Sequence, residues 1–406
     1  MSFFFNRFSH WTVVGTLLRA HNILFFSNTN LSRQSAAHLR TESIAPIDED
    51  PSDAIPRPRI WYEPPYKTPI PEKYYSTSNS TRRASAAIVI LARNLNLPGV
   101  VSSMTQLEAK LNHKFGYPYV FLNEEPFTEE FKRTITALTE APVQFGLVPS
   151  EHWYQPSWVD EKRASAARDR MRLVPYGSER ESIPPPTIYS SPPVLLRQEL
   201  LKPFKYYWRY TRRQDVDFDP FLFMEGEDKK YGPSLAISLP EYKKTIRTLW
   251  PHVKAFMKAH PDLIEPDNAM GMLLDRNGVY YNRCHFWSNF EIASLDLWRS
   301  DGYMKFFEYL DLKGGFYYER WGDAPVHTLG AALFARKDQI HFFNEIGYAH
   351  MPYEHCPAGL AHARGKCECD PSKSFDHHGS SCLPQYDRLF SGPEEMSLDT
   401  GNNSGI

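Results

Sequence analysis

Between residues 84 and 149 the hydrophobic pattern switches repeatedly between strand-like and helix-like spacing, and this alternation limits the fold more than any other feature of the chain. ASAAIVILARN (84–94) is a short apolar run ending in polar Arg93 and Asn94, the pattern of a buried strand. LPGVVSSMTQLEAKLNHKF (97–115) then carries Val100, Met104, Leu107 and Leu111 at helical spacing. YPYVFLN (117–123) predicts a second strand, and FTEEFKRTITALT (127–139) a second helix with Thr128 as N-cap and glutamates in its first turn. VQFGLVP (143–149) predicts a third strand. Strands separated by helices pair in parallel, because the crossover returns the chain to the same edge before each new strand. The expectation is an α/β domain with a mainly parallel, mixed sheet flanked by helices. Such a sheet places ligand groups just beyond the carboxyl ends of its strands. Arg93 and Asn94 stand at such an end, although a solvated pair of loop residues would read the same way.

No G-x-G-x-x-G and no G-x-x-x-x-G-K-[ST] follows the first strand, which disfavours a dinucleotide fold or a P-loop hydrolase. A net charge of −2 argues against nucleic acid as partner. The aromatic content of 14% suits a deep polar-aromatic cleft, though aromatics also fill cores.

Beyond 149, WVDEKRASAARDRMR (158–172) predicts a third helix, after which the pattern breaks down until KYYWR (205–209). Order returns at FLFM (221–224), with LAISL (235–239) as a strand and KTIRTLWPHVKAFMKAH (244–260) as a long helix. DLWRSDGYMKFFEYLDLKG (296–314) predicts one helix stopped by Gly314 and Gly315, APVHTLGAALFA (324–335) another, and QIHFFNEIGYAH (339–350) a strand running into His350.

Residues 45–72 are rich in proline and acid and read as an extended stalk, and IPPPTIYSSPP (183–193) as an irregular surface loop. WTVVGTLLRAHNILFF (11–26) is interrupted by Arg19, His21 and Asn22, short of the roughly 18 apolar residues that a membrane span needs. A signal-anchor and an amphipathic start both remain open there. Residues 1–83 are thus an N-terminal segment, 84–390 the folded domain, and 391–406 a disordered tail. Four of the five cysteines, Cys356, Cys367, Cys369 and Cys382, cluster near the C-terminus without the C-x-x-C pairs of a zinc module. They predict two disulfides among themselves and a lumenal or extracellular setting, with Cys284 left over. Sequons at Asn30, Asn79 and Asn402 fit a secretory route.

CHFWSNFEIASLDLWRS (284–300) sets Glu291 within an aromatic wall, ERWGDAPVH (319–327) groups Glu319, Arg320, Asp323 and His327, and GYAHMPY (347–353) puts His350 after a strand. Acid, acid and histidine at the ends of different elements form a transfer site in combination, although each alone is unspecific.

IVILARN, YPYVFLNEEPFTEEFKR, FGLVPSEHW, YNRCHFWSNFEIASLDLWRS, GGFYYERWGDAPVH and HFFNEIGYAHMPYEHCP resemble the fungal α-1,2-mannosyltransferases of the Kre2/Mnt1/Ktr type (glycosyltransferase family 15), from about residue 84 to about 384. The resemblance implies a type A glycosyltransferase fold. It also implies a Golgi type II membrane protein that transfers mannose from GDP-mannose to mannosylated glycoprotein or glycan acceptors, with retention and with Mn²⁺. Glu291 resembles the family's candidate nucleophile, acting either covalently or by stabilising positive charge. His350 resembles its Mn²⁺ ligand, and Asp323 a sugar- or acceptor-binding carboxylate. Arg93 and Asn94 match a pair near the nucleotide. Trp287, Asn289 and Tyr318 fall at substrate-facing positions, with core packing the alternative for the aromatics.

One motif departs from the family. Its YYWR strand runs into a Glu-Pro turn whose glutamate is the second metal ligand, whereas here YYWR (206–209) is followed by YTRRQDVDFD. Asp215 and Asp217 form a literal Asp-x-Asp that would replace the lost glutamate, and Arg212 and Arg213 would neutralise a diphosphate without metal. A degraded site, or mis-splicing within 178–214, is favoured over either replacement as the account of the departure. An impaired paralogue that binds mannan or a partner is therefore the alternative function.

Overall fold

The apolar runs of the first half form one side of a single sheet. β1 (Ala86–Leu91), β2 (Tyr119–Asn123) and β3 (Val143–Leu147) alternate with α1 (Leu97–Leu107) and α2 (Glu129–Thr136), as their spacing predicts. Then come α3 (Glu161–Met171), β4 (Tyr206–Arg209), α4 (Pro220–Gly226), β5 (Tyr231–Pro233), α5 (Leu249–Ala259) and β6 (Glu291–Ser294). The structure, a computed structural model, describes residues 69–75, 82–171, 197–209, 216–233, 245–275, 277–350 and 353–390. Several expectations lie outside those residues: the apolar run 11–26, most of the stalk, the three sequons, the proline-rich loop, the strand at 235–239, Arg212, Arg213, Asp215 and the tail. Among the described residues no helix is long and apolar enough to cross a membrane.

The strand order is β3-β2-β1-β4-β6-β5. β1 pairs in parallel with β2 and β4, and β2 with β3, while β6 runs antiparallel to β4 and β5. The sheet is therefore mainly parallel and mixed, as expected. Because strand side chains alternate, each strand feeds both faces. Ala87, Val89, Val120, Leu122, Tyr207 and Ala293 enter one core, and Ala86, Ile88, Tyr119, Phe121, Trp208 and Ile292 the other. Val100, Met104, Leu107 and Leu111, the residues at helical spacing, are all buried in the second core. Phe131 and Ile135 of α2 join them there. Taking a side chain such as Phe121 wholly out of water stabilises the fold by roughly 1.5–3 kcal/mol.

After β6 come α6 (Leu295–Trp298), α7 (Asp301–Lys313), α8 (Gly315–Tyr318) and α9 (Asp323–Phe334). Next is a separate hairpin of β7 (Tyr348–His350) and β8 (Tyr353–His355), then α10 (Gly359–Arg364) and α11 (Leu383–Phe390). Helices α5, α7 and α9 cover the first core through residues such as Phe256, Phe306 and Leu329.

Local chemistry sets the helix ends. The Thr128 hydroxyl accepts the Phe131 N–H at 3.1 Å, the expected cap of α2. Asp219, the last carboxylate of the DVDFD run, caps α4 by accepting the Phe221 and Leu222 N–H groups at 3.0 Å each. Gly314 ends α7 at φ 73°, in the left-handed region that favours glycine.

Three expectations change. The run 296–314 is two helices, because the Ser300 hydroxyl accepts the Tyr303 N–H at 3.3 Å and restarts the chain as α7. Residues 245–248 are turns and the long helix begins at Leu249, which puts Pro251 in its first turn, where its missing N–H costs nothing. Only Tyr348–His350 of the run 339–350 is a strand. The N–H groups of His341 and Phe343 bond Tyr231 and Pro233 at the sheet edge, but a bond from Asn344 to Phe342 turns the chain away.

The disulfide pairing also differs. Cys284 bridges Cys382 and Cys356 bridges Cys369, so Cys284 has a partner and Cys367 lies outside both bridges. The expectation rested on nearness in sequence, whereas Cys382, just before α11, returns to the first core beside Cys284.

Candidate active site

β4 ends at Arg209 where β6 begins at Glu291, and the two residues are register partners. β6 is reversed, so Glu291 stands at the same edge as the carboxyl ends of β1 to β4. Arg93 and Asn94, just beyond β1, share that edge.

Glu291 is fully buried. Its Oε1 accepts a hydrogen bond from the Tyr207 hydroxyl, and its Oε2 is 3.1 Å from His327 Nδ1. The Tyr207 oxygen accepts in turn from Trp298 Nε1 at 3.1 Å, so the chain Trp298 to Tyr207 to Glu291 has one sense of donation. Burial, followed by the charge of Glu291, pushes the Tyr207 hydroxyl well above its ordinary pKa and keeps it a donor.

Arg209 Nη1 meets Asp323 Oδ2 at 2.7 Å, with about a fifth of each side chain exposed (20% and 18%). Burial pushes the Asp323 carboxyl up, but the Arg209 guanidinium, His327 and Ser288 together outweigh it and hold the carboxyl below its ordinary value. Burial likewise works against the Arg209 cation, and Asp323 and Glu291 overcome it.

Helix α9 organises these contacts. Asp323 and His327 lie one turn apart at i and i+4, on the same side of the helix. Thr328 receives the Phe286 N–H at 2.8 Å, which ties α9 to the segment leading into Glu291. A Cβ on Gly330 would overlap the Tyr303 ring, so this glycine lets α9 approach closely enough for His327 to reach Glu291.

The other sequence-derived residues divide. The hairpin that ends β7 in His350 packs beside this segment, with Tyr348 5.2 Å from Phe290 and Tyr353 5.7 Å from Trp287 between ring centroids. Trp287 is partly buried against the second core, and Asn289 lies half-buried just before Phe290. Arg93 Nε holds Glu124 at 2.6 Å at the edge. Asn94 donates to the Pro126 carbonyl at 3.1 Å and accepts the Thr128 N–H at 3.0 Å, clamping the turn into α2. Tyr318 joins α8 to α3: its hydroxyl accepts the Asp160 N–H at 2.9 Å, and Arg163 lies 3.9 Å over its ring. Glu319 accepts from the Thr248 N–H at 3.0 Å and the Trp321 indole at 2.9 Å, a structural clasp. Asp217 is half-buried near Tyr75, whose hydroxyl is pushed up to about 12 by burial first and then by Glu345 and Asp217.

A divalent metal is implied by the family resemblance; of the residues named for it, Asp215 and the His350 side chain lie outside what the structure describes. Among the described residues, the group of three donors close enough to hold an ion is Cys356, His362 and Cys369, and its two sulfurs are joined in a disulfide. Tyr207, Arg209 and Trp298 complete the polar network but were not assigned roles from sequence, because their partners are far away along the chain. The i, i+4 spacing of Asp323 and His327 is the one local signal that points to them.

A mainly parallel sheet with acid, arginine and histidine gathered at its carboxyl edge is the arrangement of a type A glycosyltransferase. The family model described as glycolipid 2-alpha-mannosyltransferase matches residues 62–389, and the chain belongs to that family. It is 44% identical to alpha-1,2 mannosyltransferase KTR1 of Saccharomyces cerevisiae over 75% of this chain and 78% of that protein. It is 42% identical to the O-glycoside alpha-1,2-mannosyltransferase omh1 of Schizosaccharomyces pombe, over 77% of this chain and 80% of that one. Among solved structures it resembles core-mannan synthase A of Aspergillus fumigatus in an Mn/GDP form, with a TM-score of 0.68 and 36% identity, over 78% of this chain and 88% of that chain.

Proposed function

We propose that this chain is a retaining α-1,2-mannosyltransferase, moving mannose from GDP-mannose to mannosyl acceptors in protein mannosylation and mannan synthesis at the Golgi membrane. The observation that carries the proposal is the joining of Arg209 to Asp323 and of Glu291 to His327 at the carboxyl edge of the sheet. In the transfer, the bond from the mannosyl anomeric carbon to the diphosphate breaks and a bond to the acceptor oxygen forms. GDP leaves, and the acceptor hydroxyl gives up its proton. Both oxygens of Glu291 are engaged and the side chain is buried, which favours a fixed negative charge facing the developing positive charge over direct attack. Asp323, kept ionised by Arg209 and partly open to solvent, is the carboxylate that touches sugar or acceptor. Arg93, Asn94, Trp287, Asn289 and Tyr318 complete the proposed substrate-binding set. The same proposal gives Mn²⁺ as the metal, held by His350 with Asp215 or Asp217, where it would neutralise the diphosphate.

The test is mannose transfer from GDP-mannose to a simple α-mannoside, with and without Mn²⁺. Transfer that needs Mn²⁺ and is abolished by Glu291→Gln is expected. No transfer by the pure, folded protein refutes the proposal. The absence of a Glu-Pro pair after Arg209 favours the second reading, a binding protein without catalysis. Tight, Mn²⁺-dependent GDP binding by calorimetry counts against that second reading.

A further inference from the structure

His327 is buried, at 2% exposure, and makes one side-chain hydrogen bond in the described structure, from Nδ1 to Glu291. Its Nε2 is buried with no hydrogen-bond partner there. The ring lies 4.8 Å from Trp298 at an interplanar angle of 35°, and edge-on to Tyr303 at 6.4 Å. Leaving a buried polar atom unmatched costs about 1–3 kcal/mol, which a residue serving only to fill space would avoid. The imidazole is instead placed so that one nitrogen meets one carboxylate oxygen. The other oxygen is already taken by Tyr207, which is itself fixed by Trp298. Trp298 therefore holds both ends of the arrangement, packing its ring at a tilt against His327 and donating to Tyr207.

We infer that His327 is a positioning residue for mannosyl transfer, acting through Glu291; the inference rests on the mannosyltransferase reading above. Glu291 begins β6, and a carboxylate at a strand end swings about its side-chain bonds unless both oxygens are held. His327 supplies the second hold from α9, the helix whose preceding turn carries Asp323. The two carboxylates of the site are thus set at a fixed separation by a single rigid element. Loss of the Nδ1 donor frees Glu291 to turn while leaving the donor-binding groups in place.

The experiment compares steady-state transfer by the full chain and two variants. His327→Phe keeps an aromatic ring against Trp298 and removes the donor. Its kcat is expected to fall about 10²-fold, the order of a catalytic group displaced by about 1 Å, while KM for GDP-mannose stays within about threefold. His327→Asn places an amide donor near the position of Nδ1 and is expected to recover about tenfold of that loss. Unchanged kcat in His327→Phe overturns the inference, as does an Asn variant no faster than the Phe variant. No transfer by the folded wild type overturns the mannosyltransferase reading and this inference with it. Normal wild-type transfer with an indifferent His327→Phe overturns this inference alone. If the variants fail to fold, ¹⁵N spectra of histidine-labelled wild type and Glu291→Gln decide. The His327 ring nitrogens are expected to shift on that substitution, and an unmoved signal overturns the inference.

Discussion

Arg209 and Glu291 face each other across β4 and β6, and a single turn of α9 holds both, through Asp323 and His327. Two polar pairs, Arg209 with Asp323 and Glu291 with His327, therefore form a small circuit around one turn of α9. Removing any one member leaves a neighbour uncompensated, which makes the circuit sensitive to small changes.

Asp323→Asn leaves the Arg209 cation facing a neutral amide. Because about a fifth of each side chain is exposed, the expected loss is about 2–3 kcal/mol, somewhat below that for a fully buried pair. Urea unfolding at neutral pH, with an unchanged slope, would show it as a lower midpoint.

The same carboxyl sets an acid sensitivity. Its folded pKa lies below its ordinary value, so its contribution to stability is fully present above about pH 5. That contribution is lost as pH falls through the ordinary value of about 4 and on through the folded one. Unfolding midpoints measured between about pH 6 and pH 3 should fall more steeply for the wild type than for Asp323→Asn. Parallel curves would rule this out.

Tyr207→Phe takes the donor from Glu291 and the acceptor from the Trp298 indole in one step. About 1–3 kcal/mol of stability should go with it, because both partners are buried. Tryptophan fluorescence during denaturant titration reads the change.

The α/β alternation was legible because β1 and β2 are unbroken apolar runs, each followed by a helix, α1 and α2, with its own spacing. β5, only Tyr231–Pro233, is too short to carry a period and contains proline, which marks it as an edge strand only once its neighbours are known. Glu291, Asp323 and His350 stood out in sequence because they lie in long family-like motifs. Arg209 could not be assigned, because its partner Asp323 lies 114 residues away. The sequence likewise separates Cys284 from Cys382, and only the fold brings them together.

Gly330→Ala should be more harmful than its size suggests. The added methyl meets Tyr303 and forces α9 outward, with an expected cost of about 1–3 kcal/mol and a loss of transfer exceeding the loss of fold. Thermal unfolding and transfer rate, measured on one preparation, separate the two effects.

Peptide mapping without reduction should recover Cys284 linked to Cys382 and Cys356 linked to Cys369. Replacing Cys284 with serine opens a loop of 98 residues and should cost about 4–5 kcal/mol, seen as a lower unfolding midpoint.

That long bridge also imposes an order of events on biosynthesis. Cys284 is made well before Cys382, and the stretch leading to Glu291 cannot be locked until the chain has been delivered almost to its last described helix. A nascent chain arrested between Ser294 and Cys382 carries all of Glu291's strand without the covalent tie beside it, and is open to mispairing with any other thiol it meets. Delivery of Cys382, rather than the appearance of Glu291 itself, is what ties this part of the chain in place.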